Sequence, residues 1–157
     1  MSGTLSPSFR MGRCMRVAAF LGALAVVSDA HALFIVNQPW VKPGASNSEG
    51  YMILTSSEGA TLVGVKSSIA AQVFLRGSGA RVRARAALPL PAGTAIALRP
   101  GAERIVLTGL KRALKPGDRV PLTLEIETAS GDRQEIAVNA EVRTESPYDA
   151  EHRAHRH

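Results

Sequence analysis

Two runs of strict alternation near the C-terminal end constrain this chain more than any other feature. Val120, Leu122, Leu124 and Ile126 alternate with Pro121, Thr123, Glu125 and Glu127, and Ile136, Val138, Ala140 and Val142 alternate with mostly polar partners. Successive side chains of an extended strand point to opposite faces, so a period of two gives one apolar face and one wet face. Ser130-Gly131-Asp132 lies between the runs. The pair is predicted to form an antiparallel hairpin of half-buried strands.

The preceding chain is built of short segments set off by turn residues. Gln38-Pro39-Trp40-Val41 opens the domain and Pro43-Gly44 follows as a turn. Gly50–Thr55 reads as a buried strand, and Thr61–Val65, Ala71–Arg76, Arg81–Arg85 and Arg104–Leu110 read as further strands. Pro91-Ala92-Gly93, Arg99-Pro100-Gly101 and Lys115-Pro116-Gly117-Asp118 punctuate them. No stretch after residue 32 sustains a helical period, so the pattern predicts an all-β sandwich or small barrel. Residues 144–157 (TESPYDAEHRAHRH) are polar and without an apolar period, and are expected to form a mobile tail.

The N-terminal end has a different character. Arg10, Arg13 and Arg16 precede an apolar run from Val17 to Val27, and Ala30-His31-Ala32 follows as an A-x-A cleavage pattern. That order is the order of a secretory signal peptide, and the run is too short to span a bilayer. The reading assigns 1–32 to a signal peptide, 33–143 to the sandwich domain and 144–157 to the tail, with no membrane-spanning segment after cleavage and export to the periplasm. Met11 and Met15 are alternative starts. Cys14, the only cysteine, precedes the apolar run, where a lipid-anchor cysteine would follow it, and cleavage removes it, which leaves no disulfide or thiol chemistry. The formal charge is +6, and +4 without Arg10, Arg13, Arg16 and Asp29, a modest excess that suits solubility and acidic partners. Nucleic acid is not expected as a partner, because basic and aromatic residues are not interleaved as base stacking requires.

From Ile35 to Arg143 the sequence resembles the PCu(A)C periplasmic copper-chaperone family. The resemblance rests on an ordered series: Trp40-Val41 with Pro43-Gly44, Gly50-Tyr51-Met52, Leu62-Val63-Gly64-Val65 with Val73-Phe74-Leu75, Leu90-Pro91-Ala92-Gly93, Leu98-Arg99-Pro100-Gly101, Gly109-Leu110, Leu114-Lys115-Pro116-Gly117-Asp118 and Val120–Leu124. It implies a cupredoxin-like Greek-key β-sandwich, copper as cargo, and a role in copper handling or in delivery to respiratory oxidase assembly, with an oxidase assembly protein or other periplasmic protein as partner. The family holds copper with the pattern H-x10-M-x21-H-x-M. Here those positions fall at Arg76, Val82, Arg104 and Val106, with the later intervals kept and the first one shortened. A soft copper(I) ion favours imidazole and thioether donors. A guanidinium stays protonated and has no lone pair to give, and valine has no donor atom. After residue 32 the only methionine is Met52, and every histidine lies in the tail.

Two candidate sites remain. His152, His155 and His157, with Asp149 or Glu151 nearby, offer imidazoles and a terminal carboxylate to copper(II), zinc or nickel, while Arg153 and Arg156 repel a cation. A solvated tail without a ligand is the plainer account of the same residues. Arg76 and Arg104 could together grip a carboxylate, a phosphate or an acidic partner surface. Arg81, Arg83 and Arg85 would add three more guanidinium groups on one strand face. The plainer account there is a charged, solvated face that blocks edge pairing. Catalysis is not expected. The domain has no histidine outside the tail, Ser56-Ser57 and Ser67-Ser68 have no base near them in sequence, and Glu125, Glu127, Glu135 and Glu141 alternate with core residues as surface charges do. Trp40 and Tyr51 read as core residues rather than ligand stackers.

Overall fold

The computed structural model describes Gly3 and residues 33–78 and 84–155. The signal-peptide reading of 1–32 therefore lies outside the described residues, as do Arg81, Val82, Arg83, Arg156 and His157. Ten strands follow in chain order: β1 (Phe34–Val41), β2 (Asn47–Ser56), β3 (Ala60–Lys66), β4 (Ala70–Arg76), β5 (Ala84–Arg85), β6 (Leu88–Leu90), β7 (Ile96–Leu98), β8 (Arg104–Leu110), β9 (Arg119–Thr128) and β10 (Arg133–Val142). One helix, α1 (Pro147–Ala154), ends the described chain. Among the described residues no helix is long and apolar enough to cross a membrane.

The alternating runs pair as the sequence predicts. β9 and β10 are antiparallel, with Leu124 opposite Ile136 and Leu122 opposite Val138. The sheet order is β5-β4-β8-β2-β1-β10-β9-β3-β6, with β7 paired to β2. β1 is the seam of the sandwich. It pairs antiparallel with β2 on one side and parallel with β10 on the other, through Trp40–Glu141 and Val41–Val142. The sheet rolls over on itself around a single core in which Leu54, Leu62, Ile105, Leu107, Val120 and Leu124 are fully shielded from solvent. This is the cupredoxin-like β-sandwich expected from the sequence.

Four differences have local causes. β1 begins at Phe34, ahead of the predicted opening, because its backbone pairs with β2 from Phe34 opposite Ser56 onward even though Ile35 and Asn37 are exposed. β6 and β7 are three-residue strands, too short for a period to register. The strand predicted over Arg81–Arg85 is described only as Ala84–Arg85, paired with Leu75 and Arg76. The tail, expected to be irregular, carries α1. Pro147 opens that helix, where its missing N–H costs no bond, and an ion pair from Arg153 to Glu145 spans it.

Leu124 is fully buried and lies opposite Ile136 on β10 and Val65 on β3. Leu124→Ala is expected to destabilise the domain by about 2–5 kcal/mol, from lost burial and the cavity left behind, read as a lower urea midpoint with an unchanged slope. A loss within about 0.5 kcal/mol would contradict this packing.

Candidate functional site

β8 lies between β4 and β2, and its alternation decides which residues face the core. Ile105 sits opposite Leu75 on β4 and Gly50 on β2, and Leu107 sits opposite Val73 and Ser48. Ile105 and Leu107 belong to the central core. The intervening residues therefore point to the outer face: Arg104 opposite Arg76, and Val106 between Phe74 on β4 and Glu49 on β2. The register thus places Arg76 and Arg104 side by side, as the sequence expectation required.

Their surroundings differ. Arg104 is 15% exposed and its Nε donates to Glu49 Oε1 at 2.9 Å, while one terminal nitrogen donates to the Ala102 carbonyl at 3.2 Å. Tyr51 donates its hydroxyl to the other Glu49 oxygen at 2.5 Å, and Lys42 Nζ lies 3.6 Å from that same oxygen and 5.4 Å above the Tyr51 ring. Glu49 is therefore the hub of the outer face. Burial alone would push its carboxyl up. The Tyr51 hydrogen bond and the charges of Arg104 and Lys42 outweigh that and hold it below the usual carboxylate range. Burial, with the adjacent carboxylate, pushes the Tyr51 phenol well above its ordinary value, so it remains a donor.

Arg76 has no equivalent partner. Its Nε is buried and makes no hydrogen bond among the described residues, and its guanidinium carbon lies 5.6 Å from the centre of the Phe74 ring. A cation–π contact of that length compensates a buried donor only in part. Two cations opposite one another on neighbouring strands repel, and the single carboxylate between β2 and β8 serves Arg104. Arg85 is paired by its backbone to Leu75.

The outer face also explains Trp40 and Tyr51. Both are buried, at 5% and 0% exposure, and neither belongs to the central cluster. They face each other across β1 and β2 with ring centres 4.7 Å apart, and Tyr51 passes that packing on to Glu49. Glu49 itself was not singled out in the sequence. Its signal was the alternation of Glu49, Tyr51 and Ile53 with Ser48, Gly50 and Met52, which a strand predicted to begin at Gly50 cuts off.

The described part of this face does not fit copper(I). Arg76 and Arg104 carry fixed positive charge, Val106 has no donor, and the Glu49 carboxylate is already shared by Arg104, Tyr51 and Lys42. The Met52 thioether is 1% exposed and belongs to the core. In the tail, His152 and His155 are both exposed. His152 lies in α1 with its ring edge-on to Tyr148 at 4.2 Å, and His155 caps the helix C-terminus. Among the described residues no group of three or more histidine, cysteine, aspartate or glutamate side chains gathers to hold a metal.

Residues 26–142 match the profile of the LpqE-like family, described as "Putative lipoprotein LpqE-like". A curated relative, "Putative lipoprotein Lxx21020" of Leifsonia xyli subsp. xyli (strain CTCB07), is 32% identical over 104 residues, which are 60% of this chain and 63% of that protein. The match thus spans less than two thirds of the relative's length. Among solved structures, the apo PCuAC domain from PmoF1 superposes with a TM-score of 0.62 at 23% identity, over 73% of this chain and all of that one. The solution structure of CuI-DR1885 from Deinococcus radiodurans does so with a TM-score of 0.54 at 26% identity, over 74% of this chain and 83% of that one. The fold is therefore that of the PCuAC domains.

The depressed Glu49 titration sets a pH signature. A carboxylate whose folded pKa lies below its unfolded one stabilises the fold above the unfolded value, and that contribution is lost as pH falls through the folded value. Glu49→Gln is expected to cost about 1–3 kcal/mol at neutral pH by leaving the Arg104 charge uncompensated, with the gap to the parent protein closing in acid. Urea denaturation at neutral pH and at about pH 4 tests this, and a gap that stays constant would contradict the ion pair.

Proposed function

The chain belongs to the LpqE-like family, and from that premise we propose that it is an exported binding protein of PCuAC fold whose outer sheet face takes an anion, a carboxylate or phosphate of a partner, in place of a copper ion. The observation that carries this reading is the asymmetry of the arginine pair. Arg104 is neutralised by Glu49, whereas Arg76 stands opposite it with a buried Nε that has no hydrogen-bond partner among the described residues. A planar guanidinium donates two parallel hydrogen bonds to a carboxylate or phosphate, so an acidic ligand there would supply what Arg76 lacks. Arg76 is then the binding group, and Arg104 acts through its bond to Glu49. Export is supported by the order of basic residues, apolar run and cleavage pattern in 1–32 and by the lipoprotein description of the family. The periplasm is the compartment this implies.

The test is titration of the full chain with a hexaglutamate peptide and, separately, with inorganic phosphate. Arg76→Ala is expected to weaken the preferred probe roughly tenfold with little loss of stability. Arg104→Ala is expected to lower stability instead. Equal binding by the parent and Arg76→Ala proteins would reject the site.

A second reading, copper handling with a respiratory oxidase assembly protein as recipient, has one observation in its favour. His152 and His155 stand exposed three residues apart at the end of α1, with His157 two residues beyond His155 in sequence. Copper there would be cargo held as copper(II) by imidazoles. Competition titration with a copper(II) chelator tests it: His152→Ala/His155→Ala is expected to abolish capture, and undiminished capture would exclude the tail.

A further inference from the structure

A second unexplained feature lies on the same outer face but away from Arg76. A cavity of about 410 Å³ lies between the strands and the tail, and its lining includes Trp40, Ile53, Ala97, Arg99, Tyr148 and Asp149. Its volume falls within the range of small-molecule sites, which begins at about 300 Å³.

Three independent features shape it. The register of β1 against β2 shifts between Asn37 and Trp40, and Gln38 takes a φ of 48° there, a left-handed conformation that a side-chain-bearing residue adopts at some cost. That irregularity lies beside Trp40 at the cavity wall. The second feature is α1. It buries none of its residues, and Tyr148, at 55% exposure, lines the cavity rather than a core. An eight-residue helix with no buried face has little packing to hold it, so an occupant under Tyr148 would supply the missing apolar contact. The third is charge. Asp149 stands in the first turn of α1, where the helix N-terminus already favours its negative charge. Arg99 has no ion-pair partner among the described residues; its backbone N–H donates to the Glu103 carbonyl at 3.0 Å and its own carbonyl accepts from the Ala102 N–H at 3.0 Å.

We infer that this cavity is a binding site for a small amphipathic anion, with an apolar body laid over Trp40, Ile53 and Ala97, a carboxylate, sulfonate or phosphate head at Arg99, and α1 closing over it through Tyr148. It shares none of these residues with the Arg76 site, so each can fail without the other.

Trp40 is the only tryptophan of the chain, so its fluorescence reports this cavity directly. The probe is 8-anilinonaphthalene-1-sulfonate, an aromatic body with one anionic head, added to the full chain, with decanoate as competitor. The expected result is a blue-shifted probe emission excited through Trp40 and displaced by decanoate. Ala97→Phe, which fills the cavity from an exposed position, and Arg99→Glu, which reverses the head-group charge, are each expected to weaken the probe roughly tenfold. Tyr148→Ala is expected to speed its release. No energy transfer from Trp40, or equal affinity in the parent, Ala97→Phe and Arg99→Glu proteins, would overturn the proposal. Loss in Ala97→Phe with none in Arg99→Glu would overturn the anionic head.

Discussion

The register of β8 between β2 and β4 governs the rest of the molecule. Because Ile105 meets both Leu75 and Gly50, the core closes on one side of the strand, and Arg104 and Val106 are obliged to appear on the other. A shift of one residue would turn the Arg104 charge inward and expose Ile105 and Leu107, so the pairing admits no slippage. Everything on the outer face follows from that obligation. Arg104 must be neutralised, Glu49 on the adjoining strand does so, and Tyr51 fixes the carboxylate from beneath. Trp40 in turn packs on Tyr51. The chain of contacts runs across three strands, β8, β2 and β1, and none of its members belongs to the central cluster.

That layer is a different chemical solution from a metal centre on the same fold. A metal site gathers donors with lone pairs around a cation. Here the cations are side chains, and the donors they require are oxygens. Imidazole and thioether groups attract a soft cation, whereas the guanidinium groups of Arg76 and Arg104 repel one and the isopropyl group of Val106 offers it no donor. The sandwich itself is indifferent to which side chains stand on this face, because its stability rests on Leu124, Ile105 and their neighbours on the inner face. Fold and cargo are separable here for a geometric reason: alternate residues of one strand answer to different solvents.

Much of this was legible in the sequence. The β9–β10 hairpin was readable because both strands have one wet face and one apolar face, so periodicity carries the signal. The juxtaposition of Arg76 and Arg104 was legible only through resemblance to a family with ligands at those positions, since no local pattern links strands separated by the whole β5–β7 region. Glu49 was missed because β2 is covered on both faces, so a charged residue at its start looked like the turn before a buried run. The three-residue strands β6 and β7 escaped because two or three residues cannot display a period. The helix in the tail escaped because it buries nothing, and hydrophobic periodicity detects only helices that do.

The seam strand has a consequence for how the protein comes into being. β1 is the first strand of the domain to be synthesised, and one of its two neighbours, β10, is the last. Until β10 arrives, Val41 and Trp40 lack half of their lateral support, and the two leaves of the sandwich have nothing to join them along that line. Contacts between the ends of a chain are slow to form, because the whole intervening length must be ordered first. A polypeptide wired in this way stays pliable while it is being made, and it locks only once its final strand has joined the first.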